Sequence, residues 1–75
     1  MKKVERFRAT VNRTFKNGCV DIITVSVVDD TEGVVYEHKS EYMQDIYNCI
    51  DYIIRSKDIY GDKYSCRIEY NDYYI

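Results

Sequence analysis

The chain has 75 residues, 45% of them hydrophobic and 32% charged, with a net charge of -2. That is a globular balance with room for one domain, and a chain this short buries only about 60% of its unfolded surface. It excludes a polycation built for phosphates, and no apolar run approaches the roughly 18 residues of a membrane span.

The even mean hides a split. Residues 1–18 carry Lys2, Lys3, Arg6, Arg8, Arg13 and Lys16 against Glu5, a net of +5, and residues 19–75 carry five cations against twelve anions, a net of -7. Such asymmetry marks an interaction surface or a solvated basic strand. Cys19, Cys49 and Cys66 are too widely spaced for a zinc or redox motif. A disulfide-stapled secreted domain is not expected, and Glu5, Arg6 and Arg8 interrupt what would be the apolar stretch of a secretion signal. The expectation is a soluble, cytoplasmic chain. Nine tyrosines, with no Leu, Pro or Trp, are a bias of AT-rich coding such as phages and mobile elements carry.

Residues 4–15 alternate. Phe7, Ala9, Val11 and Phe15 fall on one face, with Arg13 the exception, and Arg6, Arg8, Thr10, Asn12 and Thr14 on the other, which predicts a half-buried strand. Lys16-Asn17-Gly18 signals a turn, and Ile23, Val25 and Val27 mark the core face of a second strand. A two-residue Asn17-Gly18 turn would set Val11 against Thr24 and Ala9 against Ser26, mixing core with polar. A three-residue loop pairs Val11 with Ile23, Ala9 with Val25 and Phe7 with Val27, and sets Arg13 against Asp21; that register is expected.

Asp29 to Gly33 form the next turn, with Gly33 at positive φ. A third strand over 34–39 puts Val34, Tyr36 and His38 on one face. Ser40 is expected to cap a helix with Glu41 in its first turn. Met43, Ile46, Cys49, Ile50, Ile53 and Ile54 form its apolar stripe; Asp45, Asn48, Asp51, Tyr52 and Arg55 face away. After Gly61, residues 63–71 alternate again, with Tyr64, Cys66, Ile68 and Tyr70 inward, followed by a Tyr73-Tyr74-Ile75 tail.

The prediction is a single α+β domain over 1–75, a four-stranded, mostly antiparallel mixed sheet (β-β-β-α-β) with one helix on one face. The last strand can pair in parallel beside the first or beside the third, and the first is preferred, for an order 3-2-1-4. The face without a helix shows Arg6, Arg8, Thr10, Asn12, Thr24, Ser26, Lys39, Arg67 and Glu69, mixed with Val20, Ile22, Val28 and Val35.

No nucleophile, P-loop or metal-ligand motif occurs, and no cofactor or metal is expected. His38 reads as a core histidine, the cysteines as structural thiols. The leading expectation is a non-enzymatic, stoichiometric binding protein, an inhibitor or modulator of a host protein of the kind phages carry. Its binding residues are Asp45, Asp51, Tyr52, Tyr60, Asp62, Tyr73 and Tyr74, because tyrosines among carboxylates suit a basic groove, including one that normally takes nucleic acid. Tyr47, Asp58 and Asp72 belong to the same surface. The alternative is nucleic-acid binding through Arg6, Arg8, Lys39 and Arg67; no aromatic stands with them to stack bases. A homodimer through the open sheet face or an edge strand fits either.

Overall fold

A computed structural model describes residues 2–75. Strands β1 (Val4–Lys16), β2 (Cys19–Asp29) and β3 (Val34–Ser40) precede helix α1 (Met43–Lys57) and strand β4 (Tyr64–Tyr74). The sheet order is β3-β2-β1-β4; β1 pairs antiparallel with β2 and parallel with β4. This is the expected α+β architecture, with β4 running on through Tyr73 and Tyr74, which the sequence reading placed in a tail.

Ile46, Ile50 and Ile53 of α1 pack on Phe7, Ala9, Val11, Ile23, Val25 and Val27, all buried. Each large side chain so placed contributes about 1.5–3 kcal/mol by leaving water. Met43, Cys49 and Ile54 flank the stripe, partly buried. The helix lies closest to β2 and β3, so Tyr64, Cys66 and Ile68 on β4 touch the core yet stay partly exposed.

The hairpin register differs from expectation. Asn17 (φ 55) and Gly18 (φ 80) form a two-residue turn between paired Lys16 and Cys19, because left-handed backbone at both central positions matches the strand twist. A bulge then leaves Asp21 unpaired: Phe15 lies opposite Val20 and Thr14 opposite Ile22. The extra residue restores facing, so Val11 meets Val25 and Ala9 meets Val27. Arg13 lies opposite Ile23 rather than Asp21, and Phe7 opposite Asp29. Val20, expected on the open face, lies opposite Phe15 instead.

A second irregularity corrects the placement of Arg6. Between Glu5↔Ser65 and Phe7↔Cys66, Arg6 has no partner on β4. The bulge turns its side chain off the open face into a buried site, 8% exposed. Its Nε and Nη2 donate to Asp29 Oδ1 and Oδ2, both at 2.9 Å, and its guanidinium lies 4.8 Å from the Tyr64 ring centre. Asp29 Oδ1 also accepts from Thr31 N and Glu32 N, at 3.0 and 3.2 Å. Glu32 reaches Lys57 Nζ at 3.0 Å, tying the turn to the end of α1.

Ser40 does not cap the helix. It pairs with Ile23 as the last residue of β3, and Tyr42 takes the N-cap position without a side-chain bond. Ser40 Oγ accepts from Tyr42 N at 3.1 Å and donates to Asp45 Oδ2 at 2.7 Å. At the other end Asp58, expected on the acidic surface, is buried. Its carboxylate accepts from Asp62 N, Lys63 N and Tyr64 N at 3.0–3.2 Å. Burial alone would push its pKa up; these backbone donors outweigh that and hold it below the usual carboxylate range.

The Arg6 hydrogen bonds hold the Asp29 pKa down at about 2, against the opposing effect of burial and with help from the turn N–H groups. In the unfolded chain an Asp titrates near about 3.9. The carboxylate therefore contributes stability that is complete above about pH 4 and lost as pH falls toward about 2. Acid denaturation followed by circular dichroism is expected to show a stability loss across that window. Asp29→Asn should be less stable at pH 7 and less pH-dependent below 4; an unchanged acid limb would contradict the assignment.

Candidate functional site

The sequence-predicted binding residues do not form one patch. Asp51 and Tyr52 stand on the solvent side of α1, Asp51 held by Arg55 at 3.0 Å. Asp45 begins the helix, spent on Ser40. Tyr60 and Asp62 occupy the loop after α1, beside the Arg6–Asp29 end of the sheet. Tyr73 and Tyr74 lie at the opposite end, opposite Thr14 and Phe15. The molecule is 45 Å long, so the two tyrosine groups mark its two ends.

At the Tyr74 end the strands overrun the helix, and the side chains there order one another. Phe15 and Tyr74 stack at 5.0 Å with 16° between ring planes. Arg13 donates to both carboxylate oxygens of Asp72, at 2.7 and 2.9 Å. The same guanidinium lies 5.7 Å from the ring centres of Phe15 and Tyr70. Tyr70 and Tyr47 hydroxyls share a hydrogen bond of 2.9 Å, joining β4 to the helix; that bond is the leading reason the Tyr70 pKa is raised. Tyr74 remains 76% exposed and Tyr70 46%. Arg13, Phe15 and Tyr70 were missed as site residues because alternation assigns all three to the helix side. The strand lengths held the signal: β1 is too long for the helix to cover.

The basic residues form no continuous patch. Arg6 is buried and paired, which removes it from the open face. Arg8 and Arg67 lie side by side in register, but Asp30 holds Arg8 at 3.0 Å and Glu5 holds Arg67 at 3.1 Å. Lys39 lies opposite Thr24, at a shallow groove of about 510 Å³ lined by Asn12, Thr24, Ser26 and Glu37 among others. Phosphate tracking needs cations that release counterions; here two of them are already neutralised within the chain.

His38 is exposed on β3, opposite Val25, not in the core. It lies on the edge strand β3. Cys19 is exposed at the hairpin; Cys49 and Cys66 are partly buried. Burial pushes both of the latter thiols up, the reverse of nucleophile activation. Among the described residues no three His, Cys, Asp or Glu side chains converge as metal ligands, and no helix is long and apolar enough to cross a membrane.

Compared with known proteins, the chain matches no family model, no curated protein and no solved structure.

Asp72→Asn should break the two-pronged Arg13 contact and loosen the end of β4. Amide exchange at Asp72–Ile75 is expected to rise severalfold, with Ile46 and Val25 unchanged. Equal protection in variant and parent would show that the ion pair does not order the aromatic end.

Proposed function

We propose that the protein is a non-catalytic binding protein that docks on another protein in a fixed ratio through the aromatic end of its sheet. The observation that carries this reading is the Phe15–Tyr74 stack, oriented through Arg13 and Asp72, with Phe15 half-buried and Tyr74 left exposed. Ordered aromatics lose little side-chain entropy on binding, and Tyr with Arg dominates hot spots. The acidic balance of residues 19–75 favours a partner with a basic surface. Inhibition or modulation of a host protein, in the manner of a phage-encoded factor, is the functional role that a small binder of this charge suits. The Asp45/Tyr52 helix face is secondary in this reading, since Asp45 is engaged by Ser40.

The test is capture from source-cell lysate with tagged parent, Phe15→Ala/Tyr74→Ala and Asp45→Ala/Tyr52→Ala chains, each run with and without nuclease. One protein retained near stoichiometrically by the parent, lost about tenfold or more with the first variant and kept by the second, is expected. Retention by the Phe15/Tyr74 variant overturns the site. A catch that nuclease abolishes overturns the reading in favour of nucleic acid bound at Arg8, Lys39 and Arg67.

A further inference from the structure

Strand β4 is an edge of the sheet, and its free side is self-complementary. Val4 N donates to Lys63 O and Ile75 N to Phe15 O, so odd-numbered residues of this strand turn their backbone groups toward β1. The N–H and C=O groups of Cys66, Ile68, Tyr70 and Asp72 therefore point outward, away from β1, while Tyr64 N–H is taken by Asp58. The edge has no Pro or Lys between Tyr64 and Tyr74 to blunt it.

We propose that two copies of the chain join β4 to β4 antiparallel about a two-fold axis at Ile68, making one continuous sheet of both. In this register Ile68 faces Ile68 of the second copy, Cys66 faces Tyr70, and Arg67 faces Glu69 on the open face. Outward-pointing residues then oppose one another, which is the hydrogen-bonded geometry of an antiparallel pair. Arg67 and Glu69 fall at the closer, non-hydrogen-bonded positions, where side chains interact best.

Charge selects this register. Slipping the pairing by two residues sets Arg67 against Arg67 or Glu69 against Glu69, and a slip by one sets outward-pointing residues against ones already bonded to β1, which forfeits the hydrogen bonds. Glu69 has no ion partner among the described residues, so it is free for the second copy, where it adds to the Glu5 contact that Arg67 already makes at 3.1 Å. Packing points the same way. Cys66 and Ile68 are only partly covered by the helix, and Tyr70 is exposed; across the axis each gains an apolar neighbour. The other edge, β3, is shorter, seven residues against eleven. The β4 pairing also carries the Tyr60–Asp62 loop of the second copy toward Tyr73 and Tyr74, uniting groups that one chain keeps at opposite ends.

Sedimentation equilibrium on the parent, Arg67→Glu and Glu69→Arg chains tests the pairing, with circular dichroism to confirm folding. The parent is expected to dimerise, and each charge reversal to raise the dissociation constant about tenfold or more by creating like-charge pairs across the axis. An equimolar mixture of the two variants is expected to recover the dimer, because each reversed strand then meets its complement. A monomeric parent at millimolar concentration overturns the proposal, as does a dimer indifferent to both reversals. Neither result touches the capture experiment, whose readout is a different protein.

Discussion

A guanidinium and a carboxylate buried together at one end of the sheet organise much of what surrounds them. Charges removed from water destabilise a fold unless each finds partners, and here each does. Arg6 takes both oxygens of Asp29, lies over Tyr64, and has Glu32 at 3.6 Å. Asp29 in turn holds the backbone of the β2–β3 turn, and Glu32 links that turn to Lys57. Strand pairing, turn and helix end thus meet at one ion pair. Asp58 repeats the device for the loop into β4, with backbone donors in place of an arginine. No buried side-chain nitrogen or oxygen among the described residues lacks a partner.

The two ends of the molecule consequently differ. A 15-residue helix spans about 22 Å, whereas the 13 residues of β1 span about 43 Å. One helix cannot cover such a strand. It seals the end that Arg6 and Asp29 organise and leaves the other as an overhang, where Phe15, Tyr70 and Tyr74 are ordered by one another, Arg13 and Tyr47. One end is stabilised by satisfied charge; the other presents aromatic surface that a partner can use. Both follow from a long hairpin with a short helix.

Periodicity made the elements and the helix stripe legible, because each depends on many residues voting for one face. It left open whether β4 pairs beside β1 or β3, since either neighbour preserves the facing. The misplaced features each turn on a single residue. The bulge at Asp21 converts a two-residue turn that looked incompatible with the facing into one that preserves it. The bulge at Arg6 moves an arginine from the open face to a buried site, and with it dissolves much of the apparent basic strand. Alternation counts residues and has no means of showing where one is skipped. Ser40 and Asp58 carried the right chemistry but the wrong position: strand pairing to Ile23 claims the first, and three backbone N–H groups draw the second inside. The aromatic overhang was hidden differently, since facing was read correctly and the reach of the helix was not.

Arg6 and Asp29 act as one buried unit rather than as two separate surface charges. A double-mutant cycle measures that directly, with Arg6→Met, Asp29→Asn and the double variant compared by urea unfolding. Each single substitution strands its former partner without a counter-charge, so both are expected to destabilise strongly, and the double variant to lose clearly less than the sum of the two. Losses that add, with no coupling between the sites, would contradict the buried pair and the register built on it.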